Sequence, residues 1–447
     1  MLYFYIMKQY EISPKMLADL GIDCLNEMQE AANRQIQDQS DVQLLAPTGS
    51  GKTLAFLLPV FSLMKPEEKG IQCMIITPSR ELAIQIEQVW RKMASGFKVT
   101  TCYGGHSVQS EIQSLVEAPA LLIGTPGRIY DHIERESINL RNTKILILDE
   151  FDKSLSMGFE EEMSFIISHL PGLEKRVLVS ATSEITIPKF VGFKQVKILD
   201  FTRTEEKTTD GLILKTVISE SRDKTETLFQ LLCFLGAEPT LIFCNLRETA
   251  EETCRTLKEK GIEIAFFHGK LEQIDREKTL VNFRNGSITF LIASDLAARG
   301  LDIPTLRNVI HFELPLNIKD FLHRNGRTAR MNTDGTAFLI VSKDESKPAF
   351  LNELPEEIKL PEKNELPIKS EWITLYISGG SKDKLRKTDI VGFLLKKGNL
   401  EKNDVGLIEV MDYMTFVAVK NMKVNALLIM IQNEKMKGKK YKIEIAR

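Results

Sequence analysis

The stretch Asp41-Val-Gln-Leu-Leu-Ala-Pro-Thr-Gly-Ser-Gly-Lys-Thr53 decides how this chain is read. Residues 42–46 form a short apolar run of strand length, and a helical pattern begins after the glycines. Strand, glycine-rich turn and helix in that order make a phosphate-binding loop, with backbone N–H groups free to approach phosphate oxygens. Thr48, Gly49, Ser50, Gly51, Lys52 and Thr53 are then the nucleotide-binding candidates, Lys52 neutralising β/γ charge and Thr53 offering its hydroxyl to Mg²⁺. Ala46 stands where the general pattern has Gly. The loop alone indicates an NTPase without saying which kind.

Outward from the loop, apolar runs at 42–46, 72–77, 120–124, 144–148 and 176–179 alternate with helical patterns. Such alternation predicts a parallel α/β sheet. After a polar stretch at 202–211 the rhythm resumes at 240–244, 288–293, 309–312 and 336–341, a second α/β domain. Residues 346–369, rich in Lys, Glu and Pro and without sustained period, read as a linker. The end runs strand 372–378, helix 388–397, strands 407–410 and 413–419, helix 424–432 and strand 441–445. This βαββαβ order is the ferredoxin-like α+β plan of RRM domains. The expected divisions are therefore 1–205, 206–345, a linker at 346–369, and 370–447.

Bulk properties agree with that division. At 447 residues the chain exceeds what one hydrophobic core organises. Its 43% hydrophobic and 27% charged residues exclude a disordered or fibrous protein. The net charge of -2 hides an asymmetry, because from Glu371 onward Lys and Arg exceed Asp and Glu by six. The basic end is the expected electrostatic footprint for a nucleic acid. The six cysteines form no CxxC pair and lie in or beside apolar runs, so buried free thiols in a reducing cytoplasm are expected. The apolar opening at 1–6 is too short for a membrane span and lacks signal-peptide features, so no membrane association is expected, with translation starting at Met1 or Met7. A cytoplasmic monomer is the default expectation.

A second site follows the run Lys144-Ile-Leu-Ile-Leu148, which ends in Asp149-Glu150-Phe151-Asp152. Ligands bind at the carboxyl edge of a parallel sheet, so carboxylates there suit a metal. Asp149 is read as holding Mg²⁺ through water, and Glu150 as positioning and deprotonating an attacking water.

These motifs, with others in order, resemble the DEAD-box family of superfamily 2 helicases over roughly residues 10–345. Pro78-Ser-Arg-Glu-Leu-Ala83 resembles PTRELA, Gly104-Gly105 the GG motif, Thr125-Pro-Gly-Arg128 is TPGR, and Ser180-Ala-Thr182 is SAT. Leu241-Ile-Phe-Cys-Asn245 resembles motif IV, and Gln273 with Arg276 matches QxxR. Residues Ala293 to Asp302 resemble motif V, and His323-Arg-Asn-Gly-Arg-Thr-Ala-Arg330 resembles motif VI. The resemblance implies two tandem RecA-like domains and an ATP-dependent RNA helicase that bends and opens duplexes locally. It also implies roles. Arg327 and Arg330 act as arginine fingers on the γ-phosphate, and Gly300 and Asp302 contact nucleotide. Ser180 and Thr182 couple the carboxylates to the second domain, and His323 is either a buried structural histidine or a coupling residue with a γ-phosphate or interdomain role. Pro78, Arg80, Gly105, Thr125, Arg128, Arg276 and Ser294 match positions that touch the RNA backbone, contacts that position without reading sequence. Gly21 and Gln29 have the spacing of the adenine-recognising Q motif, where Gln29 offers an amide to adenine, and Tyr10 is a candidate stacking aromatic. Three residues depart from the pattern: Phe151 replaces Ala, and Asn325 and Ala329 replace Ile and Gly.

The basic end resembles the RNA-binding domain of the DbpA subfamily, through Thr374-Leu-Tyr-Ile-Ser-Gly-Gly380, Lys387 to Gly392, Gly406 to Glu409, Phe416 to Val419 and Lys437-Gly-Lys-Lys440. That resemblance implies recognition of a hairpin in 23S ribosomal RNA and action on the pre-50S particle. Lys437, Lys439 and Lys440 are the candidate RNA contacts, in a cluster matched by Lys382, Lys384, Arg386 and Lys387. Tyr376 and Phe416 alternate as base-stacking residues would, with Met414 where an aromatic often stands. A general RNA chaperone and an ATP-gated RNA clamp without ribosomal specificity use the same motifs and remain open.

Overall fold

The computed structural model describes residues 12–446, apart from 48, 106, 182–185, 203–210, 296–302, 304–305, 329–333 and 362–364. Among these residues the first unit holds seven strands: β1 (Asp41–Leu45), β2 (Cys73–Ile76), β3 (Val99–Cys102), β4 (Leu121–Gly124), β5 (Ile145–Leu148), β6 (Lys175–Ser180) and β7 (Val196–Asp200). They pair in parallel in the order β3-β4-β2-β5-β6-β1-β7. Successive residues of a strand point to opposite faces, and here both faces are buried. Cys73 and Ile75 of β2 enter one apolar core while Met74 and Ile76 enter the other, and β5 divides in the same way. This is why these strands read as unbroken apolar runs.

The second unit holds β8 (Leu212–Ser219), β9 (Thr240–Cys244), β10 (Ile264–Phe267), β11 (Phe290–Ser294), β12 (Asn308–His311) and β13 (Gly335–Ser342). These too are parallel, ordered β10-β11-β9-β12-β13-β8. Part of the segment read as a linker is pinned along the outer edge of β8. Thr216 donates its N–H to Glu356 O and its hydroxyl to Pro355 O, and accepts from Ile358 N, each at 2.9 Å. Phe350 and Leu351 pack on Leu314, Phe321, Leu339 and Val341, and Ile358 and Leu360 join the main core.

The third sheet, in the same unit, is antiparallel: β14 (Trp372–Ile377), β15 (Val405–Val410), β16 (Thr415–Lys420) and β17 (Ile443–Ile445), ordered β15-β16-β14-β17. Helices Lys387–Lys397 and Asn421–Ile431 supply Ile390, Leu394, Val424 and Leu427 to one core with Leu375, Ile377, Val417 and Val419. Gly380 is needed for close approach, since a Cβ there would overlap the backbone at Met411 and Asp412. One expectation is corrected: five cysteines are buried, but Cys24 is exposed, because it lies in the turn that precedes the Asn26 helix cap. No helix among the described residues is long and apolar enough to cross a membrane.

Candidate nucleotide and RNA sites

Strand order divides the carboxyl edge of the first sheet into two neighbourhoods. β5, β6 and β1 are adjacent, so the loops that follow them meet: Ala46 N donates to Ser180 O at 3.1 Å. There the phosphate-binding loop turns through Gly49 and Gly51, both in the left-handed region at φ 85° and 87°. A Cβ at Gly51 would overlap the Gln29 side-chain nitrogen. Gln29 is buried at the start of helix Glu27–Asp38; its Oε1 accepts from Asn26 N at 3.1 Å and its Nε2 donates to Gly51 O at 3.3 Å. Asn26 Nδ2 adds a bond to Ser50 O at 3.0 Å. Gln29 thus braces the loop in addition to any base contact.

Lys52 begins helix Lys52–Leu63 and folds back, donating to Ala46 O and Pro47 O, each at 2.8 Å. Burial pulls its pKa down to about 8, against the opposing pull of Asp149 and Glu150. Asp149 is buried at the end of β5, where Oδ1 accepts from Glu150 N at 2.9 Å. Burial, with the negative charge of Glu150, pushes its carboxyl up to about 7. A carboxylate so desolvated beside a lysine holds a site that a cation and phosphate charge would complete. Glu150 sits at φ 46°, a strained angle for a non-glycine residue, and pairs with Lys153 at 2.9 Å. Phe151 turns away from this chemistry and is 1% exposed in the second apolar core, so the substitution of Ala changes packing and leaves the carboxylates in place.

The other neighbourhood follows β2, β4 and β3. Thr77 N donates to Gly124 O at 2.9 Å and Thr125 N to Cys102 O at 3.1 Å, which sets Pro78, Gly105 and Thr125 side by side. Arg80 opens helix Arg80–Lys92 and lies against Gly104, while Thr125 caps helix Pro126–Glu134, which carries Arg128. Two helix N-termini and two arginines at one edge favour an anionic backbone. Sequence reading missed the residue that ties this edge together. Glu111, buried, accepts from Arg128 Nη1 at 2.7 Å and from Tyr103 N at 3.2 Å, and meets His132 Nε2 at 2.8 Å. Cys102 completes a Cys-Glu-His group within metal-ligand reach. The Arg128 guanidinium and the His132 ring share one Glu111 carboxylate oxygen, so these three side chains form a hydrogen-bond network, while burial raises the neighbouring Cys102 thiol well above its ordinary range. Only long-range packing assembles the network.

The family models that match are DEAD/DEAH box helicase at residues 26–190, helicase conserved C-terminal domain at 223–332 and DbpA RNA binding domain at 374–445. ATP-dependent RNA helicase DbpA of Escherichia coli (strain K12) is 33% identical over 443 residues, 96% of each chain. The protein of the same name in Bacillus subtilis (strain 168) is 29% identical over 473 residues, 98% of this chain and 99% of that one. The chain belongs to the DEAD-box ATP-dependent RNA helicases. Among solved structures, S. cerevisiae Dbp5 bound to RNA and ADP BeF3 matches with TM-score 0.66 and 25% identity, over 76% of this chain and 90% of that one. The DEAD-box helicase Mss116 bound to ssRNA and UDP-BeF matches with TM-score 0.68 and 25% identity, over 78% of each. The two parallel-sheet domains are RecA-like, and the helicase binds RNA and hydrolyses ATP.

In the helicase's second domain, helix Ile318–Asn325 ends in the first three residues of motif VI. Arg324, 1% exposed, forms two 2.6 Å bonds to Asp295 and others to Asn245 Oδ1 and Glu313 O, joining motifs IV, V and VI. The arginine spacing was legible in sequence, but this internal role was not. Asn325, in place of Ile, meets His311 Nε2 at 2.9 Å. Burial and the charge of Arg324 push His311 down to about 3, so the ring is neutral. Arg327 is 5% exposed, His323 half-buried and Ser294 buried. Arg276 is buried too, with its guanidinium 5.3 Å from the Phe267 ring centre. Thr48, Thr182, Gly300, Asp302, Arg330 and Tyr10 lie outside the described residues.

The C-terminal lysines of the helicase are exposed, and the two basic clusters meet. Lys437 Nζ donates to Asp389 at 2.9 Å and to Lys384 O at 2.8 Å, and Lys439 reaches Asp383 at 2.6 Å. Lys440 binds Asn433 at 3.0 Å. The aspartates partly offset this edge, a screening that the charge count along the sequence hid.

Proposed function

We propose that this helicase couples ATP hydrolysis to local unwinding of 23S ribosomal RNA during large-subunit assembly, acting on the pre-50S particle as a cytoplasmic monomer. The observation that carries the reading is the joining of a sheet edge split between phosphate and RNA motifs to a DbpA-type RNA-binding domain whose two lysine clusters meet. Thr48 to Thr53 hold the phosphates of ATP, with Lys52 against β/γ charge and Gln29 selecting adenine. Thr53 and Asp149 hold Mg²⁺, which screens phosphate charge when bound. Glu150 positions the attacking water and accepts its proton; Arg327 and Arg330 stabilise charge spreading over the γ-phosphoryl oxygens. Gly300 and Asp302 add nucleotide contacts, and Ser180, Thr182 and His323 pass the nucleotide state onward. Pro78, Arg80, Gly105, Thr125, Arg128, Arg276 and Ser294 hold the sugar–phosphate backbone, while Lys437, Lys439 and Lys440 hold the selected hairpin.

Glu150→Gln is expected to lower RNA-stimulated hydrolysis by about 10²–10⁴, the range for a lost general base, with ATP and RNA still bound. The ribosomal reading is tested at fixed salt with the triple variant Lys437→Glu, Lys439→Glu, Lys440→Glu. The wild type should respond to a large-subunit RNA hairpin fragment at far lower concentration than to unrelated structured RNA, and the variant should lose only that preference. Equal stimulation of the wild type by all RNAs supports the general RNA chaperone instead.

A further inference from the structure

Lys153 stands one residue past the Asp149-Glu-Phe-Asp152 motif, and nothing in the sequence marks it. Yet it is 4% exposed, and lysine is almost never so buried unless its charge is paired. Its partner is the proposed base: Lys153 Nζ lies 2.9 Å from Glu150 Oε1, with the two side chains 5% and 14% exposed. Pairs at this i,i+3 spacing are common on helix surfaces, where they contribute little. Lys65–Glu68 is such a pair, at 3.1 Å with the lysine 56% exposed. Water is kept from the Glu150 pair, so its attraction is screened less.

Backbone geometry brings the two groups together. Glu150 caps helix Phe151–Ser156 at φ 46°, and its carbonyl accepts from Lys153 N at 3.0 Å and Ser154 N at 3.1 Å. Asp149 Oδ1 holds the Glu150 N–H. Phe151, sunk in the second apolar core, anchors the first turn of the helix. The chain thus leaves the carboxylate, is fixed in the core, and returns a cation over that carboxylate within one turn. A strained backbone persists only where its surroundings over-determine it, and such strain gathers at working sites. The same ammonium lies within electrostatic reach of Asp149 and Lys52.

We propose that Lys153 is a positioning residue for hydrolysis: its ammonium holds one oxygen of Glu150 and so fixes the plane of the carboxylate that receives the proton of water. In the reaction the water oxygen bonds to the γ-phosphorus as the bond to the bridging oxygen breaks, ADP leaves, and Glu150 takes the proton. A glutamate left loose samples many rotamers, and misplacing a reacting group by about 1 Å can cost on the order of 100-fold in rate. Lys153 touches neither phosphate nor water in this account; it acts through Glu150. The inference rests on the role proposed above for Glu150.

The test is single-turnover hydrolysis of ATP by the full chain with saturating large-subunit ribosomal RNA, beside titration with a fluorescent ATP analogue. Lys153→Met should slow hydrolysis about 10- to 100-fold, as a misaimed group does, with the dissociation constant of the analogue unchanged. Lys153→Arg, which keeps a cation in reach, should recover most of that rate. In a Glu150→Gln background Lys153→Met should bring no further loss, since the base it guides is already gone. The double variant buries neither charge of the pair, and comparing it with Glu150→Gln tests the proposal even where Lys153→Met alone is too unstable to assay. Full activity in Lys153→Met, equal losses in Lys153→Met and Lys153→Arg, or losses that multiply in the double variant each overturn the proposal. Weakened analogue binding in Lys153→Met overturns it too, as does a rise in RNA-free hydrolysis, which would make the pair a restraint on the base. Undiminished hydrolysis in Glu150→Gln refutes instead the role proposed for Glu150, and that measurement needs no change at Lys153.

Discussion

Gly51→Ala tests the bracing of the phosphate-binding loop by Gln29. At φ 87° an alanine carries the left-handed penalty of about 1–2 kcal/mol. Its Cβ also overlaps Gln29 Nε2, which must leave Gly51 O, a bond worth about 1 kcal/mol net. If the loop must keep its shape to receive phosphates, binding bears a cost of about 2–3 kcal/mol, roughly 30- to 150-fold in dissociation constant. Titration of the full chain with a fluorescent ATP analogue measures it. Gln29→Ala removes the overlap and the bond together, so the double variant should fall short of the sum of the single effects, as sites sharing a contact do. Wild-type affinity in Gly51→Ala, or strict additivity in the double variant, refutes the bracing.

Asp149 supplies a pH signature in protein free of metal and nucleotide. Its folded pKa of about 7 lies above the ordinary 3.8, so its stabilising contribution is full below about pH 4 and is lost as pH rises through 7. Asp149→Asn should therefore gain thermal stability on the wild type between pH 4 and 8, and parallel melting curves would show an ordinary carboxylate. Asn325→Ile restores the family residue yet leaves His311 Nε2 without its partner, and should lower stability by about 1–3 kcal/mol in denaturant melts; an unchanged midpoint would count against the pairing. Glu111→Ala leaves Arg128 and His132 without their shared carboxylate and should cost about 3–5 kcal/mol. It should also raise the RNA concentration for half-maximal hydrolysis with ATP affinity unchanged, and equal losses in both would reduce Glu111 to a general fold residue.

The strands that the sequence revealed and those it hid differ in position. β1, β2, β4, β5 and β6, and β9, β11, β12 and β13, are interior to their sheets and read as apolar runs. The four unread strands, β3, β7, β8 and β10, are the edges. One side of an edge strand has no neighbouring strand of the sheet, and β7 is exposed at all but Leu199, so no continuous run marks it. The chemistry-bearing motifs were legible because phosphate, metal and base each demand particular residues at fixed spacing. Glu111, Arg324 and the His311–Asn325 pair were not, since each depends on elements far apart in sequence. Packing of the C-terminal sheet on the second domain was hidden for the same reason: Val281 and Phe416 carry no local sign that they meet.

The pinned segment beside β8 bears on how the chain can be cut. A truncation at 345, where sequence pattern places the end of the second domain, would strip Thr216 of its Pro355, Glu356 and Ile358 partners. It would also remove Phe350, Leu351, Ile358 and Leu360 from the surfaces they cover. β8 already carries Ile213 at 49% exposure, and an uncovered edge strand with apolar surface is a template for self-association. A shortened protein ending after 361 keeps that protection, whereas one ending at 345 should aggregate with its catalytic motifs intact.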